Sequence, residues 1–312
     1  MPHSARRSGR AFHESAPCHA EAHWAEAFPR PEQGILTAST RSLPSLLSLL
    51  FSLLSLLAAC AAPSAPQSAG LPTAATPRTL TVFAASSLLD AFTDLGKAYE
   101  AAHPGVTVAF NFDGSASLRA QFEQGAVADV FASANQKEMD TVAAAGLVVS
   151  GAAKPFATNV LVVILPADNP GNLQTLADLA RPGLRLTLAA EVVPVGSYSR
   201  QALERLNAQY GASFREGVLA NVVSDESNVK QIVAKVNLGE ADAGIVYATD
   251  ARAALTLITL AIPAEYNVTA RYPMAALSAA PNPTLAADFV AFVLSPAGQT
   301  ILQKWGFLPV TP

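Results

Sequence analysis

Four strand-turn-helix transitions constrain the fold of this chain more than any other feature of its sequence. In each of them, a run of β-branched or small apolar residues meets a polar or glycine-containing turn and then a helical pattern. The apolar runs are 80–85, 106–112, 184–190 and 222–223. A helix that starts directly after a strand directs its unpaired N–H groups and the positive end of its dipole outward. Several such helix ends in one cleft form an anion site that needs no cationic side chain.

The N-terminal residues 1–59 have the pattern of a leader with a lipoprotein signal peptide. Arg41 is followed by an uncharged, leucine-rich run over 42–59, and the run ends in the sequence L-A-A-C. Small residues and a cysteine end this run, which favours a secretory signal over a membrane span or a chance leucine-rich stretch. The L-A-A-C ending resembles a bacterial lipobox, which implies cleavage before Cys60 and lipidation of its thiol. Residues 60–79 then form the lipidated cysteine and a proline- and serine-rich flexible tether.

Charge and residue counts argue against several classes of function. Five of the 20 basic and four of the 24 acidic residues lie in the leader, which leaves 15 basic and 20 acidic residues and a net charge of −5. That balance, without a basic run, argues against nucleic acid as a partner. Cys18 lies in the leader, so Cys60 is the one cysteine of the mature chain, and His103 is its one histidine. A disulfide, a Ser-His-Asp triad and a histidine-rich zinc site are therefore disfavoured.

From Leu80 onward, predicted strands and helices alternate, which indicates an α/β fold with mostly parallel sheets. The predicted strands are 80–85, 106–112, 129–133, 159–165, 184–189, 219–223 and 243–246. The predicted helices are 87–102, 115–125, 135–145, 199–210, 227–238, 284–294 and 296–304. In such folds ligands bind at the carboxyl ends of the strands, where the four turns lie.

The alternation weakens near Ala261, and a C-terminal stretch with two helices follows. We therefore expect the chain to leave a first domain and to return to it. The expected layout has lobe 1 at 80–158 plus 272–312 and lobe 2 at 159–271, with a cleft between the lobes. Receptors that close on a ligand by a hinge motion are built in this way.

Seven segments carry a specific family resemblance over nearly the whole mature chain, from about residue 80 to residue 309. They are VFAASSLLDAF (82–92), FDGSASLRAQ (112–121), GAVADVFASAN (125–135), VPVGSYSRQAL (193–203), NVKQIVAKV (228–236), GEADAGIVYATDA (239–251) and SPAGQTILQKWGF (295–307). In their order and spacing they resemble the extracytoplasmic molybdate-binding proteins of ABC importers. The resemblance implies a two-lobed periplasmic-binding-protein-like fold, in which each lobe is a mostly parallel sheet flanked by helices and the ligand binds in the interlobar cleft.

Members of that family hold a tetrahedral oxyanion with serine hydroxyls, backbone amides and one tyrosine hydroxyl. The resemblance assigns the hydroxyl roles to Ser87, Ser115 and Tyr247 and the backbone N–H roles to Val195 and Val229. Without the resemblance, each serine is interpreted as a helix N-cap, each valine as a core residue and the tyrosine as an amphipathic strand residue. Two serines in parallel turns favour ligand binding over capping.

The resemblance implies a lipid-anchored, monomeric binding protein at the outer face of the cell membrane or in the periplasm. Such a protein needs no cofactor, is not an enzyme, and delivers molybdate or tungstate to the membrane subunit of an ABC permease. One alternative is a receptor for another tetrahedral oxyanion, such as sulfate or phosphate. A secreted hydrolase is a further alternative, disfavoured because the chain has no G-x-S-x-G elbow and no catalytic histidine.

Three acidic residues, Asp113, Asp225 and Glu226, adjoin the predicted site in sequence. A dehydrated dianion is destabilised by a carboxylate aimed at it, so we expect these side chains to point outward or to cap helices. Asp250, which follows Tyr247 closely, is interpreted as a structural residue.

Overall fold

The computed structural model describes residues 78–149 and 151–310. The predictions for the leader, for Cys60 and for the tether up to residue 77 lie outside these residues. The strands are β1 (Arg78–Ala85), β2 (Val106–Asp113), β3 (Val130–Ala132), β4 (Lys154–Asn159), β5 (Leu161–Leu165), β6 (Leu186–Ala189), β7 (Val222–Glu226), β8 (Ala243–Tyr247), β9 (Ile258–Ala261) and β10 (Ala270–Ala276). The α-helices are α1 (Leu89–Ala102), α2 (Ser115–Glu123), α3 (Gln136–Ala144), α4 (Pro194–Tyr210), α5 (Phe214–Ala220), α6 (Val229–Asn237), α7 (Ala248–Ala253), α8 (Pro283–Leu294) and α9 (Pro296–Lys304).

The strands form two five-stranded sheets that share one topology. The strand order is β2-β1-β3-β10-β4 in the first sheet and β7-β6-β8-β5-β9 in the second. In each sheet four strands run in one direction, and the fourth strand of the order, β10 or β5, runs against them. The predicted α/β fold with mostly parallel sheets is confirmed. Each opposing strand is the one on which the chain arrives from the other sheet.

The chain passes from one sheet to the other twice. Strand β4 of the first sheet ends at Asn159 and β5 of the second begins at Leu161, while the return lies between β9 and β10. The prediction of a single strand over 159–165 is therefore wrong, because the first crossing falls inside it. Lobe 1 is the part of the chain that carries the first sheet, and lobe 2 is the part that carries the second sheet. The limits 80–158 plus 272–312 and 159–271 stay a prediction.

Two further predicted elements have wrong limits. The predicted strand 219–223 begins inside α5, and the strand itself, β7, continues to Glu226. The predicted helix 199–210 begins earlier, at Pro194, because proline suits the first position of a helix. Gly196 then lets the first turn of α4 approach β6, since a Cβ there would lie 2.1 Å from the Ala190 carbonyl oxygen.

The apolar core determines where the strand ends lie. One cluster of buried apolar side chains is continuous through both lobes, and a second covers the other face of the first sheet around Phe83, Phe122 and Phe131. All residues of β5 and of β8 are buried, as expected for strands covered on both faces. Tight packing on both faces leaves the sheets little freedom, so the turns at their carboxyl ends have defined positions.

Within the described ranges, no single helix is long and apolar enough to cross a membrane. The consecutive helices α8 and α9 reach that length and composition only together, and a bend of 63° separates them.

Candidate functional site

Eleven residues line a small cavity between the two lobes. They come from the turns after β1, β2 and β3 in lobe 1 and from the equivalent turns after β6, β7 and β8 in lobe 2. The lining residues are Ala85, Ser86, Ser87, Gly114, Ser115, Ala134, Val193, Pro194, Val195, Val229 and Tyr247. All five predicted ligand residues are among them, and none of the eleven is charged. The structure thus brings the predicted residues together, and their role as ligands stays a prediction.

Neither serine is the N-cap of a helix, so the capping interpretation of these residues is wrong. Ala85 is the N-cap of the 3₁₀ turn that precedes α1, and Gly114 is the N-cap of α2. Both serines are buried beside the cavity. Ser115 Oγ accepts a hydrogen bond of 3.0 Å from the backbone N–H of Ala134. Because this acceptor position is occupied, the Ser115 hydroxyl proton is free to point elsewhere, and the cavity is beside it.

Two helices present uncapped N-termini to the cavity. The N-cap residues of α2 and α4, Gly114 and Val193, make no side-chain capping hydrogen bond. The first intrahelical bond of α4 runs from Ser197 N to Val193 O, so the N–H of Val195 precedes the hydrogen-bonded part of the helix. These N–H groups and the helix dipoles favour a negative charge at this position.

Helix α6 reaches the cavity from lobe 2, as α4 does, but its N-terminus is capped by a side chain. Its N-cap, Asn228, accepts a hydrogen bond of 3.2 Å from Gln231 N through its side chain. Val229 is the first residue of α6, and its N–H also precedes the intrahelical bonds. The two valines predicted as backbone donors therefore occupy first-turn positions in two different helices.

Tyr247, the last residue of β8, carries a buried hydroxyl that has no hydrogen-bond partner among the described residues. Burial raises its pKa well above the ordinary value, and the nearby Tyr272 hydroxyl adds to this without a hydrogen bond of acceptable geometry. The phenol is therefore protonated and a donor at neutral pH. An unpaired buried hydroxyl costs about 1–3 kcal/mol, and an anion oxygen in the cavity would remove that cost.

Two of the three acidic residues near the site, Asp225 and Glu226, form ion pairs away from the cavity. Asp225 is exposed and pairs with Arg200 at 2.8 Å, as expected. Glu226 is buried in β7, so the expectation that it points outward or caps a helix is wrong. Burial acts to raise the pKa of Glu226, but Lys235 at 2.7 Å and the Thr187 hydroxyl at 3.0 Å outweigh it and lower the pKa. None of these side chains lines the cavity.

Two polar contacts cross the cleft beside the cavity. The Asn228 side chain donates to Asp113 Oδ1 at 3.0 Å. Lys230 Nζ lies 2.8 Å from Asp90 Oδ2 of lobe 1 and 3.0 Å from the fully buried Asp250 carboxylate of its own lobe. Sequence reasoning missed the Lys230–Asp90 contact, because nothing in the local pattern relates residues in different lobes.

The charge of Lys230 is neutralised by the carboxylates of Asp90 and Asp250. Burial acts to lower its pKa, but the carboxylates of Asp250 and Asp90 outweigh burial and raise it. Burial raises the pKa of Asp250, and Lys230 counteracts that effect. Lys230 is therefore a paired cation next to the cavity and does not line it.

Two lobes, two chain crossings and an interlobar cavity lined by neutral donors define the class of two-lobed solute-binding proteins. Comparison with known proteins agrees. The model of the family described as bacterial extracellular solute-binding protein matches residues 80–308. The molybdate-binding protein ModA of Mycobacterium tuberculosis is 42% identical over 231 residues, which cover 74% of this chain and 84% of ModA.

Solved structures show the same fold. The Azotobacter vinelandii periplasmic molybdate-binding protein superimposes with a TM-score of 0.65 and 22% identity, over 74% of this chain and 100% of that chain. The sulfate-binding protein SubI of Mycobacterium tuberculosis superimposes with a TM-score of 0.67 and 19% identity, over 75% of this chain and 88% of SubI. The chain belongs to the bacterial extracellular solute-binding proteins and to the family of ModA. It is a binding protein and not an enzyme.

The close approach of Gly114 to lobe 2 gives a first test of closure. A Cβ on Gly114 would lie 2.3 Å from the carbonyl oxygen of Ser227, across the cleft. The backbone angles of Gly114, φ −59° and ψ 138°, suit alanine, so Gly114→Ala should leave each lobe intact. We expect the clash to destabilise the closed form by about 1–3 kcal/mol. Small-angle scattering with saturating oxyanion should give a larger radius of gyration for the Gly114→Ala variant than for the wild type. Equal radii, at an unchanged unfolding temperature without ligand, would contradict this account.

The Lys230–Asp90 pair gives a second test. Asp90→Asn removes the charge from the lobe 1 side and leaves Asp250 paired. Partly exposed ion pairs contribute about 0.2–1 kcal/mol, so we expect ligand dissociation to be about 1.4- to fivefold faster, with the difference smaller at high salt. The matched control is Asp94→Asn on the same helix, because Asp94 pairs with Lys304 inside lobe 1 at 2.8 Å. Stopped-flow release rates measure both variants, and similar rates for the two would refute a cross-lobe role.

Proposed function

We propose that this protein binds molybdate, and also tungstate, in its interlobar cavity outside the cytoplasm and delivers the anion to an ABC importer. The observation that carries this proposal is the uncharged cavity lined by hydroxyl groups and helix N-termini from both lobes. Its occupant is indicated by the family, since a relative with 42% identity is a molybdate-binding protein.

The proposed ligands are the hydroxyls of Ser87, Ser115 and Tyr247 and the backbone N–H groups of Val195 and Val229. All five can donate a hydrogen bond, and no carboxylate is among the eleven lining residues that the structure describes. A fully ionised tetrahedral dianion accepts hydrogen bonds at every oxygen, whereas hydrogen phosphate also needs an acceptor for its own proton. The donor set therefore favours molybdate, tungstate or sulfate over phosphate.

The size of the cavity supports a small inorganic anion. Sites for organic ligands of drug size have volumes of about 300–1,000 Å³. The cavity here is far smaller, with about 10 Å³ open to the centre of a water molecule, so it suits a ligand of a few heavy atoms. Native mass spectrometry of protein purified without added ligand distinguishes the candidates, because molybdate, sulfate and phosphate differ in bound mass.

The proposed donors can be tested one at a time by calorimetry. A hydrogen bond to a charged group contributes about 1.5–3 kcal/mol, so we expect Ser87→Ala and Ser115→Ala each to weaken molybdate binding by about ten- to a hundredfold. Tyr247→Phe should weaken it somewhat less. It should not destabilise the ligand-free protein, because the deleted hydroxyl has no hydrogen-bond partner within residues 78–149 and 151–310. Salt should change these affinities only mildly, since buried dipoles are screened less than surface charges.

The control for these variants is Ser295→Ala, which removes the serine that caps α9 far from the cavity. It should lower the free energy of unfolding by about 1 kcal/mol and leave the affinity unchanged. Near-wild-type affinity in both cavity-serine variants, or a steep dependence on salt, would place the anion at a different, cationic site.

We further propose that the protein is a monomer attached to the membrane through a lipid on Cys60. The L-A-A-C ending at residue 60 and the proline- and serine-rich tether after it support this. The lipid would keep the binding lobes near the permease, while the tether would let them move freely.

Replacement of the lipid acceptor tests the anchor. Cys60→Ser should release the protein from membranes or leave the leader attached, and fractionation with mass determination of the N-terminus measures both. Normal processing together with unchanged membrane attachment would rule out the anchor and leave the binding function untouched.

A further inference from the structure

Asn228 joins the start of α6 in lobe 2 to the end of β2 in lobe 1. It is the N-cap of α6, and its side-chain Oδ1 accepts a hydrogen bond of 3.2 Å from Gln231 N. Its Nδ2 donates to Asp113 Oδ1 at 3.0 Å. Val229, a proposed backbone donor, follows Asn228 directly, and Ser115, a proposed hydroxyl donor, follows Asp113 closely. One side chain therefore connects the segments that carry donors in the two lobes.

The partners of the Asn228 amide fix the role of each of its two atoms. A backbone N–H is always a donor, so the amide atom that faces Gln231 N is the oxygen. The amide nitrogen then faces Asp113 Oδ1 and donates to it. That oxygen also accepts from Gly114 N at 2.7 Å, as a carboxylate oxygen can. Neither hydrogen bond of the Asn228 side chain can therefore reverse.

A second set of contacts orients the turn that precedes α6. Gln231 Oε1 accepts from Ser227 N and from Ser227 Oγ, both at 3.1 Å. Gln231 thus gives its backbone N–H to Asn228 and its side-chain oxygen to Ser227, an exchange that resembles a capping box. All these contacts lie within lobe 2, so separation of the lobes does not break them.

The contact between Asn228 and Asp113 lies where the lobes approach each other closely. A Cβ on Gly114 would lie 2.3 Å from Ser227 O and 3.7 Å from Asn228 Cβ. Asp113 does not line the cavity, and one of its oxygens is held by Gly114 N of its own lobe and by Asn228 Nδ2 of the other. Opening of the cleft removes the second of these donors and leaves the first.

We propose that Asn228 is a positioning residue that couples retention of the anion to closure of the lobes. This role rests on the proposed function of the same cavity. The Asn228 oxygen caps α6 in the open and in the closed form, so the Val229 N–H keeps its direction. The Asn228 nitrogen reaches Asp113 only in the closed form. The hydrogen bond therefore stabilises the closed, anion-bound form and slows release of the anion.

The test is Asn228→Ser, which keeps a good N-cap but is too short to reach Asp113. Molybdate release should become about three- to thirtyfold faster, since a partly exposed hydrogen bond to a carboxylate lies between the uncharged and the fully buried charged cases. The association rate should change by less than about twofold, because the contact forms only on closure. The unfolding temperature of the ligand-free protein should change by less than about 2 °C, because the cap is retained. Stopped-flow kinetics and thermal unfolding measure these quantities.

The matched control is Asn135→Ser at the start of α3. Asn135 caps that helix in the same way, because its Oδ1 accepts from Glu138 N at 2.9 Å, and both residues lie in lobe 1. This variant should leave the rate of molybdate release unchanged. A release rate in Asn228→Ser as slow as in the control would overturn the coupling.

A double-mutant cycle separates the contact from the effect of a charge beside the anion. Because Asn228 acts through Asp113, Asn228→Ser should change the release rate by less than about twofold in an Asp113→Ala background. The cycle cancels the direct effect of the Asp113 charge on the anion. Independent effects of the two substitutions, or a clear fall in the unfolding temperature of ligand-free Asn228→Ser, would overturn the positioning role while the proposed function stands. Failure of the wild type to bind molybdate, tungstate or sulfate would overturn both.

Discussion

The proposed function puts one electrostatic constraint on the structure, which is that a dianion has to be held by a cavity whose eleven described lining residues carry no charge. The positive potential comes instead from hydroxyl protons and from helix N-termini at the ends of strands. Lys230, which follows Val229 directly, does not change this balance, because Asp90 and Asp250 neutralise it. Both sheets use the same strand order, so each lobe supplies equivalent turns to the cavity.

Neutral donors stabilise an anion only if their directions are fixed before it binds, since reorientation would offset much of the gain. The protein holds the serine oxygens with hydrogen bonds behind the lining residues. Ser115 is held by Ala134 N and Ser87 by Tyr272. Tyr247 differs, because its buried hydroxyl has no partner among the described residues. Its unsatisfied donor is a local cost that a bound oxyanion would relieve, and this couples anion binding to the stability of the closed cavity.

Closure of the two lobes is the second requirement of the proposed function, because each lobe holds only part of the proposed donor set. The contacts that cross the cleft lie directly beside the donors, between Asn228 and Asp113 and between Lys230 and Asp90. Gly114 combines both roles, since it is the uncapped start of α2 and the point where lobe 1 approaches the Ser227 carbonyl. Donor presentation and lobe contact therefore depend on the same short turns.

The sequence by itself determined the α/β class, the helix starts after strands and, through family resemblance, the five residues that meet at the cavity. Local pattern predicted the α/β class and the helix starts because periodicity and turn residues act over a few positions. It drew a single strand over 159–165, where tertiary packing makes the chain cross between the sheets, and it began α4 too late although Pro194 marks the start of that helix. Only the tertiary structure decided which distant groups support the donors. Ser87 and Tyr272 are 185 positions apart, and Asp90 and Lys230 are 140 apart. Hydrogen bonding and charge pairing at such separations depend on how the two sheets pack, and no local pattern contains that information.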